Sequence, residues 1–476
     1  MSAAANHHKN WTLAAACLGV FMLLIDITIV IVALPSIRQS LHISFSDVQW
    51  TIDAYSLSLA SLLLPTGSLA DILGRRRMFA IGLTVFTLGS LLCALSDSGT
   101  MLVAFRVFQG VGGATMFATS LALVAQAFHG RERAFAFGIW GAVVGLASGI
   151  GPLLGGVLTT ELGWRWIFYV NVPIGIVALL ITVTRVQEWR PPTAPRIDLV
   201  GFAVFTTGLF CLIYSLIESG RRSWGSGLVI GALAAAIVLL ALFPLLERHR
   251  RDPMVDLTLF RKPAFVGGLV AAFGMNASLF AMFLYLTLWL QDGLHISALD
   301  TGLRLAISTL AVTVVAAPAG RTSGHVPVRW LIGPGLLIVG AGLLLMRGLG
   351  ADSGWTHLIP GLLVGGVGAG LVNPPLASTA VGVVSAHDAG MASGLNSTLR
   401  QVGIAVAVAG LGTIFAHQLA HATALTVRAD YASTLNELLL ITAGVAVVCG
   451  LASLVLLRPR DFVSHTAPAR PAPATE

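Results

Sequence analysis

Apolar runs long enough to cross a bilayer recur along this chain from one end to the other. About 20 residues of helix span the hydrocarbon. Fourteen such runs are read, near 11–35, 47–70, 78–96, 100–128, 134–160, 167–185, 198–218, 226–246, 263–290, 301–320, 330–348, 356–384, 394–417 and 436–457. A backbone in lipid must satisfy its own hydrogen bonds, so these runs are predicted to be helices. Composition agrees: 56% of the chain is hydrophobic and 10% charged, against about 25% charged in an ordinary soluble domain. The chain is predicted to be an all-α polytopic membrane protein. The first run is not read as a cleaved leader. It is too long, it holds Asp26, and it ends in ALPSIRQS without a small-x-small site.

A net charge of +7 would admit a nucleic-acid partner, but the basic residues sit in short loops between apolar runs, and none is expected. With the N-terminus inside, nineteen of the 28 Lys and Arg residues fall in inner segments and seven in outer ones. That bias places both termini in the cytoplasm and the protein in the cytoplasmic membrane. Spans seven and eight are bracketed by the inner loops EWRPPTAPRID and ERHRRDPMVD and read as an insertion. The expected division is an N-terminal six-helix bundle (1–190), a two-helix insertion (191–255), a C-terminal six-helix bundle (256–460) and a disordered cytoplasmic tail (461–476). A faint repeat supports two halves, since Pro65-Thr-Gly67 and Pro318-Ala-Gly320 each end the second span of a half before a basic loop. Repeated halves around a central cavity are a common transporter design.

Several chemistries find no support. Cys17, Cys93, Cys211 and Cys449 all lie inside apolar runs and have no metal-ligand spacing. His417 and His421 stand at i, i+4 without an adjacent thiol or acid, so no metal site is expected. Glycine runs such as GGVGAG lack the lysine and hydroxyl of a phosphate loop. No cofactor and no enzymatic activity are expected. No ATPase domain is visible, so uphill transport would draw on an ion gradient.

Charged and small residues within the spans carry the functional signal. Asp26 lies in FMLLIDITIVIVALP, where a carboxylate near a helix centre costs roughly 2.5–3.5 kcal/mol on insertion scales. Burial disfavours the ionised form and a nearby cation favours it. A site whose water access changes between two conformations can take up a proton on one side and release it on the other. Asp26 is therefore the leading proton carrier, with Arg106 of span four as a partner. The alternative is a structural aspartate tying span one to a neighbour, and Arg106 has the parallel alternative of bonding carbonyls. Asp53 in WTIDAYSL either faces the same cavity or sits near the outer interface. In span five Gly138, Gly141, Gly145, Gly149, Pro152 and Gly156 follow steps of three and four, which is one helix face; it reads as a tight, bent seam. In GSLADILGRRRM (67–78), Asp71 and Arg75 are neighbours if the helical turn persists, and Gly67 and Gly74 allow close backbone approach. Asn276, Asn373, Asn396, Arg400 and Gln401 are polar residues of the C-terminal spans that can line a cavity.

These stretches resemble those of a known family. GSLADILGRRRM is similar to the inner-loop signature of the major facilitator superfamily. LVAFRVFQG (102–110) resembles its fourth-span motif with Arg106, Gln109 and Gly110. SGIGPLLGG (148–156), with Gly149, Gly151, Pro152, Gly155 and Gly156, resembles the fifth-span motif associated with antiporters. IDITIVIVALP (25–35), WRWIFYVNVPIG (164–175) and GMASGLNSTLRQVG (390–403) resemble segments of the fourteen-span drug:proton antiporters. Ile31 stands where that branch usually has Asn, and Ala147 where it usually has Gly. The resemblance implies two six-helix bundles plus two inserted helices, with Gly67, Asp71, Gly74 and Arg75 as an inner-face latch. It also implies a proton-coupling role for the arginine matching Arg106. The expected function is efflux of small amphipathic or cationic drugs in exchange for protons, by a monomer working through alternating access. A narrow exporter of one antibiotic or metabolite is the alternative; an uptake symporter or a non-transporting sensor ranks behind it.

Overall fold

In the computed structural model of the chain, residues 3–43, 45–128, 130–188, 198–250, 253–323, 325–384, 388–419 and 427–462 are described. His421 and the expected tail beyond Phe462 lie outside them, as do the side chains of Ile31 and Pro152. Among the described residues all regular structure is helical. Among them thirteen helices are long and apolar enough to cross a membrane, and Arg329–Leu345 is a shorter apolar helix.

The N-terminal six are α1 (Ala3–Leu41), α2 (Phe45–Leu73), α3 (Arg75–Ala94), α4 (Gly99–Ala127), α5 (Gly130–Glu161) and the span Trp166–Arg185, here α6. The inserted pair is α7 (Leu199–Arg222) and α8 (Gly227–Glu247). The C-terminal six are the span Pro263–Gln291 (α9), α10 (Ala298–Thr322), α11 (Arg329–Leu345), α12 (Ile359–Gly382), α13 (Ala389–Leu419) and α14 (Val427–Leu456). Helix starts carry side-chain caps: Ser98 accepts from Met101 N, Asp198 from Val200 N and Gly201 N, and Ser297 from Asp300 N. Between α2 and α3 the chain turns at Gly74, whose φ of 107° is open to glycine and strained for other residues. Two π-helical turns, Asn276–Phe280 and Trp289–Gly293, interrupt α9. Helix α13 starts five residues earlier than the sequence reading, because Gly390–Ser393 are buried against the other half rather than lying in a loop.

The two halves repeat each other in how they pack. In the first, α3 lies on α4; in the second, α11 lies on α12. Both contacts are made through glycine. Gly112 packs against the Phe86 backbone, and a Cβ there would stand 2.8 Å from Gly82 O. A Cβ on Gly342 would stand the same 2.8 Å from Gly361 O. Small residues let helices approach closely where lipid offers no hydrophobic drive for their association. The halves meet along two seams, α2 on α13 and α5 on α10. The α7–α8 hairpin lies beside the first seam, contacting both α2 and α13. Its Trp224 donates to Thr413 Oγ1 of α13 at 2.9 Å, and Tyr214 stands 6.0 Å from Trp50 of α2. Arg75, Arg76 and Arg77 start α3, Arg329 starts α11, Arg133 lies in the first turn of α5, and Arg321 in the last turn of α10 lies 4.7 Å from the Phe135 ring centroid of α5; these helix ends make up the basic end.

Backbone contact at Gly112 leads to an expected outcome. Gly112→Val should overpack the α3–α4 contact at a cost of about 1–3 kcal/mol. Gly231→Val on α8, where a Cβ meets nothing within 4 Å, should be silent. The melting temperatures of the two purified variants check this.

Candidate functional site

Two charged clusters and one polar cluster lie inside the helical body. The first joins α1, α4 and α6. Asp26 is 0% exposed and Arg106 1% exposed. Arg106 Nη1 donates to Asp26 Oδ2 at 2.6 Å and to Gln109 Oε1 at 2.7 Å. Its Nε donates to the Thr51 carbonyl of α2 at 2.9 Å. The other carboxylate oxygen of Asp26 accepts from Gln109 Nε2 at 2.9 Å and from Asn171 Nδ2 at 3.0 Å. Asn171 also donates to Ser90 Oγ, which donates to the Phe168 carbonyl. The guanidinium lies 4.0 Å from the Tyr55 ring centroid, a cation–π contact between two buried side chains. Each oxygen of the carboxylate has a donor, so the charge pair is compensated on both sides in this conformation. Asp53, also on α2, is half-buried, unlike fully buried Asp26.

Gly110, one residue past Gln109, lets α4 pack on α2. A Cβ there would meet Ser58 Oγ and lie 2.8 Å from the Tyr55 carbonyl. Asp26, Arg106 and Gln109 stand out in the sequence, whereas Asn171, Ser90 and Tyr55 do not. Asn171 did leave a signal, as a polar residue between aromatic and apolar stretches in WRWIFYVNVPIG.

The second cluster closes the basic end between the halves. Asp71 Oδ1 accepts from Arg75 Nε at 3.0 Å and Nη2 at 2.8 Å, and from Gly390 N at 3.0 Å; Oδ2 accepts from Met391 N at 2.9 Å. The carboxylate of α2 thus sits on the N-terminus of α13, where free N–H groups and the helix dipole favour an anion. Gly67 packs on the Gly390 carbonyl, and a Cβ on Gly394 would stand 2.7 Å from the Leu63 carbonyl. Gly74 is the N-cap of α3. Glu188 accepts from the backbone N–H groups of Arg76 and Arg77 at 3.1 and 3.2 Å, so it caps α3 from the far end of α6, a partner the sequence did not reveal.

The glycines of α5 divide between two faces. Gly138 faces Gly320 of α10, Gly141 faces Pro374 of α12, and Gly145 and Gly149 face Val312 and Thr309 of α10. Gly151 meets Thr28 and Gly155 meets the Ile29 carbonyl, both on α1. Gly156 is half-buried. The stripe therefore serves the α5–α10 seam, and the remaining motif glycines serve α1.

In the C-terminal half the structure brings together three of the five polar candidates. Arg400 Nε donates to Asn396 Oδ1 and Nη1 to Asn373 Oδ1, both at 3.2 Å. Asn276 instead donates to the Ala272 carbonyl of its own helix, and Gln401 is half-buried.

The sequence profile described as Major Facilitator Superfamily matches residues 16–408. The chain belongs to the major facilitator superfamily. Within this superfamily it is 38% identical over 412 residues to multidrug resistance protein Stp of Mycobacterium tuberculosis, covering 86% of this chain and 76% of that one. It is 35% identical over 420 residues to a probable actinorhodin transporter of Streptomyces coelicolor, with 86% and 72% covered. It is 36% identical over 410 residues to puromycin resistance protein pur8 of Streptomyces alboniger, with 85% and 81% covered. The human organic anion transporter MFSD10 shares the fold, with a TM-score of 0.67 over 94% of this chain and 99% of that one at 17% identity. The major facilitator chain is thus a multi-pass membrane transporter whose relatives are drug-resistance and efflux proteins.

Two outcomes follow from the clusters. Removing one partner of a buried pair leaves the other uncompensated, at about 3–5 kcal/mol. Asp26→Asn and Arg106→Gln should each destabilise the protein by that amount, and the double variant by less than the sum, read from denaturant midpoints in detergent. Asp71→Asn removes the anion from the α13 N-terminus, an interaction worth up to about 2 kcal/mol. It should raise the labelling of Met391→Cys by an impermeant maleimide applied from the basic end.

Proposed function

We propose that this transporter exports small amphipathic or cationic drugs across the cytoplasmic membrane in exchange for protons, by alternating access. The observation that carries the reading is the sealed Asp26–Arg106 pair, a carboxylate and its cation held by different spans of one bundle. In the alternating cycle, rearrangement of α1 against α4 separates the pair and gives the carboxylate to water on one side. Protonation then replaces the arginine as the means of neutralising it. A proton moved through 100 mV contributes about 2.3 kcal/mol, enough to support an appreciable drug gradient. Asp53 is a secondary coupling candidate.

Further features belong to the same reading. Thirteen long spans and one shorter one fit the fourteen-span antiporter branch. The basic end is cytoplasmic by the positive-inside bias, and both termini lie there. The bundles divide at 1–190, 191–255 and 256–460, and the protein acts as a monomer. Gly67, Asp71, Gly74 and Arg75 form the latch that holds the cytoplasmic end shut, and the Gly138–Gly149 face of α5 forms the opposing seam. Relatives named for a single compound, actinorhodin or puromycin, support a second reading in which the exported molecule is one antibiotic.

Proteoliposomes carrying a luminal pH dye test the exchange. Adding rhodamine 6G outside should raise luminal pH as the drug enters and protons leave, and Asp26→Asn should abolish the signal. Luminal acidification would instead indicate symport, and an unchanged signal in Asp26→Asn would remove that carboxylate from coupling.

A further inference from the structure

Three arginines are buried among the described residues, and they are compensated very differently; Arg75 has the carboxylate of Asp71. Arg106 has a carboxylate; Arg400, 8% exposed, has only the oxygens of two neutral amides and no ion pair among the described residues. A guanidinium offers five donors and no acceptor. Arg400 uses Nε and Nη1, and Nη2 is buried without a partner. Its contacts also fix the neighbouring amides. Asn373 and Asn396 must turn their oxygens towards the cation, which sends each Nδ2 outward, and both Nδ2 atoms are buried without a partner. Ser397 Oγ, on the next residue of α13, is buried and unpartnered too. The cluster thus carries a positive charge and has more donors than partners, with no carboxylate beside the guanidinium among the described residues.

Its place in the fold puts it on the face of α13 that turns towards the other half. Ser393, Asn396, Ser397 and Arg400 recur at i, i+3, i+4 and i+7, one face of α13. Ser393 donates to the Ala118 carbonyl of α4 at 2.8 Å, so this face looks across to the other bundle. Residues 389–398 are all buried; from 401 to 410 all but Gly403 are half-buried or exposed. Arg400 stands at that transition. It lies about 16 Å along the helix from its start, roughly half the thickness of a hydrocarbon layer of about 30 Å. Transporter substrate sites occupy that depth.

We propose that Arg400, Asn373, Asn396 and Ser397 form a receptor for an anionic oxygen group, such as a carboxylate, phenolate or sulfonate, on an amphipathic substrate. This deepens the drug-export reading by adding a recognition chemistry for those transported molecules that carry an anionic end. The guanidinium supplies charge, the outward amides and hydroxyl supply direction, and the apolar spans around them take the rest of the ligand.

Fluorescein and rhodamine 6G, xanthene dyes of opposite charge, provide the test by fluorescence anisotropy with the purified full chain in nanodiscs. The wild-type protein should bind fluorescein, and Arg400→Gln should weaken it about tenfold to hundredfold, the range for a lost charge-assisted hydrogen bond. Rhodamine 6G affinity should not fall, and Arg400→Lys should restore part of the fluorescein affinity. Asn396→Asp places a carboxylate beside the guanidinium. It should raise the melting temperature while abolishing fluorescein binding, which guards against a variant that merely misfolds. Equal loss of both dyes in Arg400→Gln, unchanged fluorescein affinity in Arg400→Gln or Asn396→Asp, or no fluorescein binding by the wild type would each overturn the proposal. Binding is read without a proton gradient. Failure of proton exchange with fluorescein selectivity intact sinks the exchange reading alone, and the reverse result sinks the anion receptor alone.

Discussion

A charge inside a bilayer must find its counterpart within the protein, because there is no water to supply one. This chain answers that demand differently at three places. Asp26 and Arg106 neutralise each other, and the amides of Gln109 and Asn171 occupy the second carboxylate oxygen. Asp71 draws on Arg75 and on the start of a helix from the opposite half. Arg400 receives only amide oxygens. The first arrangement ties three helices of one bundle, the second ties the two bundles, and the third leaves charge uncompensated where the bundles face each other.

Close helix contact makes these arrangements possible. Asp71 reaches the α13 N-terminus because Gly67 and Gly390 bring the two backbones together. Arg106 reaches Asp26 and the Thr51 carbonyl because Gly110 and Gly113 bring α4 against Ser58 and Tyr55 of α2. A Cβ at Gly67, Gly390 or Gly110 would overlap backbone of the facing helix, while at Gly113 it would press only on side-chain ends. The small residues and the buried charges are parts of one construction: glycines set the distance and polar side chains use it.

The helices were legible in the sequence because the bilayer imposes a length and an apolar composition that few other structures share. The pairing of Asp26 with Arg106 was legible as an inference, since two opposite charges in neighbouring apolar spans call for each other. Their surroundings were not. Asn171 reaches Asp26 across 145 residues of chain, and no periodicity links positions so far apart. Glu188 follows the last turn of α6 and looks like an ordinary loop residue; only the fold places it on the amides of Arg76 and Arg77. The five polar residues of the C-terminal half could not be ranked from one sequence. Helix rotation decides them, and it turns Asn373, Asn396 and Arg400 together while Asn276 bonds its own backbone.

The α7–α8 hairpin accompanies only one of the two contacts between the halves. It is fastened there by Trp224 on Thr413 and by Tyr214 near Trp50. The opposite flank, where α5 meets α10, presents Leu146, Leu310 and Val314 outward. Relative movement of the halves therefore shears protein against protein on one flank and slides through acyl chains on the other. The body is mechanically lopsided: one edge is stiffened by its own chain, and the other takes its resistance from whatever lipid surrounds it.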